Sequence, residues 1–223
     1  MTRPASTLLA ASLLLLPSAA WAQVTSPVST GSTASTYPMF SPRGYVMFSR
    51  QQFQAEKTFE AIFDDASGSF SGFGADLVIA RNVFVELGWS RFEKTGERVF
   101  LFNNTVYKLG IPLTIKLRPF EFTGGYRLTL WPRVIPYGGV GVASARYEET
   151  SDFAATGDDV SVSGSGVVFV GGAEVRLARL IGASADIHYS SLGDFIGKAG
   201  ISKEYGEDNL GGTAVRFRII IGR

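Results

Sequence analysis

The chain has 223 residues, with 21 Lys and Arg against 20 Asp and Glu, one histidine and no cysteine. A formal net charge of +1 with no basic cluster argues against nucleic acid as a partner, and without cysteine no disulfide can hold the fold. Charged residues reach only 18%, below the roughly 25% usual for soluble proteins, while 26 glycines and 13% aromatics favour β-structure over helix.

In chain order, residues 1–22 come first. Arg3 precedes the apolar run "LLAASLLLLPSAA", and Ala20-Trp21-Ala22 supplies a small-x-small cleavage pattern. This predicts a secretory signal peptide, too short and weakly flanked for a transmembrane helix. Residues 23–42, "QVTSPVSTGSTASTYPMFSP", are Ser/Thr/Pro-rich and almost uncharged, as in a flexible lead-in. A single domain is expected over 43–223.

From there the hydrophobic period is two, the mark of strands with unlike faces. Strands are predicted near 44–56, 72–79, 83–90, 105–118, 134–148, 165–177 and 181–190, with a last one ending at Ile221. In the second strand, Phe73, Leu77 and Ile79 oppose Asp76, and in the third Trp89 opposes Glu86. In the fourth, Tyr107, Ile111 and Ile115 oppose Lys108, Lys116 and Arg118, and Pro112, which cannot donate to a ladder, predicts a bulge. Later, Phe169 opposes Glu174 and Arg176, Ile187 and Tyr189 oppose Asp186 and His188, and Phe217, Ile219 and Ile221 oppose Arg216 and Arg218.

Connections near 80–82 and 178–180 are tight, whereas 57–68, 93–104, 149–163 and 191–209 read as long loops. Short turns at one end and long loops at the other describe an all-β, closed, up-and-down antiparallel barrel of eight strands. The segment 119–133 is long on the short-turn side, so a further strand there, and ten in all, stays open. "GADLVIAR" (74–81) and "GAEVRLAR" (172–179) repeat one hairpin design 98 residues apart.

Three features turn the apolar face towards lipid. The opposite face carries small residues and charges of both signs, and the chain has only six lysines. Aromatics sit near strand ends, and the alternation is long enough to cross a bilayer. A structure in hydrocarbon must also close, because open edges leave backbone groups unpaired. The lipid-facing set is then Phe73, Leu77, Ile79, Trp89, Tyr107, Ile111, Ile115, Phe169, Ile187, Tyr189, Phe217, Ile219 and Ile221. The lumen holds an ion-pair network of Asp76, Glu86, Lys108, Lys116, Arg118, Glu174, Arg176, Asp186, His188, Arg216 and Arg218, which fills a narrow eight-stranded interior.

"IPYGGVGVASARYE" (135–148), the two repeated hairpins and the final alternating strand resemble the small bacterial outer-membrane β-barrels, the OmpA/OmpX-like group. The resemblance covers about 44–223. It implies a porin-like cell-envelope protein of the outer membrane, a monomer in contact with lipid and lipopolysaccharide and assembled by the outer-membrane machinery. Unlike that group, this chain ends "RFRIIIGR", without a terminal aromatic residue.

One short motif suggests chemistry. His188-Tyr189-Ser190 with Glu204 downstream is similar to the His-x-Ser pair of outer-membrane lipid A deacylases, where histidine is the base and serine the nucleophile. However, parity puts His188 and Ser190 on the lumen side, away from a lipid substrate. The loops 56–68, 148–163 and 191–209 are net negative, and "TGDDVSVSGSG" lacks EF-hand spacing, so no metal ligand is assigned. No cofactor is expected. The reading is a non-enzymatic outer-membrane protein serving envelope structure or surface interaction through acidic loops. The alternatives are a lipid A deacylase-type enzyme, a narrow channel and a soluble periplasmic lipid-binding barrel.

Overall fold

The computed structural model describes residues 39–103, 105–151, 160–193, 196–197 and 200–222. The expected signal peptide, most of the expected lead-in and most of the expected 149–163 loop lie outside these residues. Eight strands run β1 (Phe40–Phe53), β2 (Ser67–Ile79), β3 (Val83–Phe102), β4 (Thr105–Arg127), β5 (Val134–Thr150), β6 (Val160–Arg176), β7 (Ile181–Ser191) and β8 (Gly212–Gly222). Each pairs antiparallel with its neighbour, and β8 pairs with β1 from Arg43↔Gly222 to Phe53↔Gly212, closing the barrel in sequence order.

Several boundaries differ from the sequence reading. β1 starts at Phe40, inside the expected lead-in, because Phe40, Ser41 and Pro42 pair with Ile79, Val78 and Leu77. The expected loop 93–104 is mostly strand: β3 and β4 continue as a ladder to Phe102↔Thr105. No additional strand occupies 119–133, because β4 itself runs on to Arg127, leaving Leu128–Arg133 as the turn. The expected bulge is present. The register jumps from Glu97↔Pro112 to Val99↔Lys108, with Gly110 at a left-handed φ of 66°.

Among the described residues two helices lie in the long loops, where the strand pattern gave no sign of them. Helix α1 (Glu56–Phe63) buries Thr58, Phe59, Ile62 and Phe63, the i, i+3, i+4 stripe of an amphipathic helix. It ends at Asp64, whose left-handed backbone (φ 56°) lets its N–H donate to the Glu60 carbonyl. Its start is capped from a distant loop: Glu207 accepts from the Lys57 and Thr58 amides at 3.0 and 2.9 Å and from the Thr58 hydroxyl at 2.6 Å. Helix α2 (Gly200–Tyr205) lies in the β7–β8 loop that supplies this cap. Gly96 lets α1 settle on the wall, since a Cβ there would lie 2.3 Å from the Ile62 carbonyl oxygen.

The lumen therefore has two storeys. At the long-loop end, Phe59, Ile62 and Phe63 of α1 pack among Phe53, Phe70, Phe92, Leu113, Ile115 and Leu117, with Phe53 and Phe59 stacked at 4.0 Å. This apolar plug corrects the parity assigned to β4. Ile115 is completely buried in the plug and does not face lipid, and Ile111 falls half-buried in the bulge. Lys116 and Arg118 face outward, towards Glu93 and Glu148 at 3.8 Å each, and Lys108 pairs with Asp64 at 2.5 Å; none of the three joins the lumen network. The cause is height. Above the bilayer a barrel wall follows the soluble rule, apolar inside and charged outside, so the same alternation has the opposite sense.

Candidate functional site

Below the plug, the lower lumen is ionic, and all eight strands contribute to it. Arg43 on β1 holds Asp76 with a fork (2.7 and 2.9 Å) and Glu174 at 2.8 and 3.0 Å, while Arg127 reaches the same Glu174 at 2.6 Å. Asp76 and Glu174 occupy equivalent places in the two repeated hairpins, so the repeat converges on one guanidinium. Further up, Arg218 pairs with Glu86 (2.5 Å) and Asp186 (3.1 Å) and donates to Ser184 (3.0 Å) and to the Tyr137 hydroxyl. Its guanidinium lies 5.2 Å from the ring centroids of both Tyr45 and Tyr137. Tyr45 donates to Glu86 at 3.0 Å and Tyr137 to Asp186 at 2.7 Å. Gly74 makes room for Tyr45, whose hydroxyl would lie 2.3 Å from a Cβ at that position.

Arg216 spans the next step, with its Nε 2.7 Å from Asp186 and its Nη1 3.1 Å from Glu121. His188 Nε2 lies 3.2 Å from Glu121 Oε1 without an aligned N–H···O bond. Asp76, Glu86, Glu174, Asp186, His188, Arg216 and Arg218 are all nearly inaccessible to solvent. Arg176, also assigned to the network, is instead exposed at the short-turn mouth.

The sequence reading missed Arg43, Tyr45, Glu121, Arg127 and Tyr137. Arg43 adjoined the presumed lead-in, and Glu121 and Arg127 lay in a segment read as a connection. For Arg43 a usable signal existed: two equivalent acids on one face call for a cation between them.

The hydrolytic arrangement does not form. His188 and Ser190 are buried in the lumen, the carboxylate beside His188 is Glu121, and Glu204 lies exposed on α2. Among the described residues there is no cluster of three His, Cys, Asp or Glu side chains suited to a metal.

The outer wall is apolar around the whole circumference. Val46 and Phe48, Phe73, Leu87 and Trp89, Phe120 and Phe122, Val140 and Val142, Phe169, Ile187, and Val215 to Ile221 at alternate positions are exposed on successive strands. Leu77 and Ile79 share this face, half-exposed, and Phe73–Trp89 and Phe169–Tyr189 form cross-strand aromatic pairs. Tyr107 is exposed higher up, on the β3–β4 overhang. On β4 the belt runs from below Arg118 to Leu128, about 25 Å at ~3.3 Å per residue and a tilt of ~40°. Above it lies a charged rim of Arg91, Glu93, Lys116, Arg118, Arg146 and Glu148.

No family profile and no curated protein matches the chain. Solved structures do. The crystal structure of Neisserial surface protein A aligns with a TM-score of 0.54 at 13% identity, over 82% of this chain and 97% of that one. The attachment invasion locus protein Ail of Yersinia pestis aligns at 0.48 and 14%, over 82% and 95%. OprG of Pseudomonas aeruginosa aligns at 0.44 and 14%, over 82% and 92%. The likeness to Neisserial surface protein A shows the fold, a closed eight-stranded up-and-down β-barrel of the small outer-membrane type. The apolar belt of bilayer height is the outer wall that a transmembrane barrel presents to lipid.

Proposed function

We propose that this barrel is a non-enzymatic protein of the envelope, acting through its extracellular face and not as a channel or a lumen enzyme. The observation that carries the proposal is the doubly filled interior: a ladder of buried ion pairs below and an aromatic plug with α1 above. Among the described residues packed side chains fill both storeys, and the buried lumen residues face away from a lipid substrate. What the molecule presents is its charged rim and its long loops.

The acidic loops are partly self-satisfied. Glu207 caps α1, Asp64 pairs with Lys108, and Asp65 accepts from the Ser67 amide and hydroxyl at 2.9 and 2.8 Å. Much of the acidity therefore holds the loops in shape. The outward arginines and Lys116 on the rim sit at the height of lipid headgroups, and lipopolysaccharide phosphates are their natural partners. The protein would act as a monomer delivered by the outer-membrane assembly machinery.

The test is reconstitution of the full chain into planar bilayers and into vesicles containing lipid A. No steady single-channel conductance and no release of fatty acid are expected. Either activity would overturn the proposal.

A further inference from the structure

At the short-turn end, which in outer-membrane barrels faces the periplasm, the lumen opens into a cavity of about 320 Å³. Among the described residues its lining carries Arg43, Arg81, Arg127, Arg176 and Arg179 with one carboxylate, Glu174, and Arg81 is itself already engaged. That carboxylate is already shared by Arg43 and Arg127, and Arg43 spends its whole fork on Asp76 and Glu174. Arg176 and Arg179 have no ion-pair partner among the described residues. Both line the cavity, and Arg127 lines it too, with only its Nη2 engaged by Glu174.

The β2–β3 turn places Ala80 at φ 46° and Arg81 at φ 72°, a left-handed pair that favours Asn and Gly. Arg81 lines the cavity from this turn. The repeated hairpin puts Arg179 at the equivalent place of the second turn, so both copies deliver a guanidinium to the same mouth.

We infer that this vestibule is a binding site for a compact phosphate-bearing anion with at least two negative charges. Guanidinium forks match phosphate oxygens in pairs, and a low-dielectric wall concentrates their field on one small volume. The phosphate can come from a soluble periplasmic solute or from the headgroup of an inner-leaflet phospholipid reaching over the rim.

The full chain, folded in zwitterionic detergent, would be titrated with inorganic pyrophosphate in a calorimeter. Saturable one-to-one binding that weakens with salt is expected, falling at least about tenfold in Arg176→Gln/Arg179→Gln. Arg133→Gln, in a turn but outside the lining, should bind like the parent. Heat-modifiable gel migration checks that each variant is folded. Should the double variant fail to fold, Arg179→Gln alone, in the exposed second turn, should still weaken binding. Nanodiscs of phosphatidylcholine with and without phosphatidylglycerol distinguish the sources. A headgroup occupant lowers the apparent affinity for pyrophosphate in the anionic discs, and a soluble one leaves it unchanged. Absence of saturable binding, or equal binding by parent, double variant and Arg133→Gln, would overturn the inference.

Discussion

Arg218 is the centre of the lower lumen, and replacing it with methionine tests the whole ionic account. Methionine approximates the length of the stem and keeps contact with Tyr45 and Tyr137, so packing changes little while the charge disappears. The loss would strip Glu86 of its 2.5 Å partner and Asp186 of one at 3.1 Å, and leave the Ser184 hydroxyl without its donor. Neither acid becomes fully orphaned: Glu86 retains Tyr45, and Asp186 retains Arg216 and Tyr137. The cost should therefore be that of one broken buried pair, about 3–5 kcal/mol, not the sum of three. Urea unfolding in lipid vesicles, followed by tryptophan emission and gel mobility, would measure it. Combining Arg218→Met with Glu86→Gln should recover part of the loss, because the second change removes the uncompensated charge. If Arg218→Met lies within about 1 kcal/mol of the parent, the lumen ladder is not what stabilises the barrel.

Other outcomes follow from the geometry. Ile115→Asp should cost more than about 3 kcal/mol by burying a charge in the aromatic plug, whereas Lys116→Leu on the outer rim should be nearly neutral in the same unfolding assay. Phe59→Ala/Phe63→Ala should release α1, detected as rapid tryptic cleavage at Lys57, while the barrel keeps its folded mobility. Gly141→Ala should destabilise by about 1–3 kcal/mol, since its Cβ would lie 2.1 Å from the Phe122 carbonyl oxygen of the paired strand. Asp65, held below the usual carboxylate range by the Ser67 hydroxyl and amide, stabilises the α1–β2 turn above its unfolded pKa. That support is lost only as pH falls through the lowered folded value, so hydrogen exchange in the turn should rise at lower pH than a free aspartate titrates, and Asp65→Asn should abolish the dependence.

The barrel was legible because period-two alternation and alternating connection lengths both report on closure, and neither needs knowledge of partners. Register within the belt followed from the same alternation: Phe73, Trp89, Ile187 and Phe217 lie on the outer wall. The reading failed where a strand leaves the bilayer. Ile115 and Phe217 are alike as letters, but one stands in an aqueous loop region and packs inward, while the other stands in hydrocarbon and packs outward. Alternation fixes two faces without saying which solvent surrounds them, and strand height was the missing quantity. Helix α1 was hidden for a related reason. Its eight residues are too short to fold alone, so its helicity depends on the aromatic chamber and on Glu207, about 150 residues away in the chain.

The distribution of charge among the strands also has a consequence for biogenesis. Both arginines that satisfy Glu86, Glu121 and Asp186 reside on β8, the last strand to be synthesised. A sheet of seven strands would thus hold these carboxylates together with no cation from β8 and would resist curling into a compact cylinder. Arrival of β8 supplies the neutralising charge and the seam with β1 in a single event. Premature closure is disfavoured by the same residues that later lock the finished wall, which makes the final strand a built-in checkpoint for completeness.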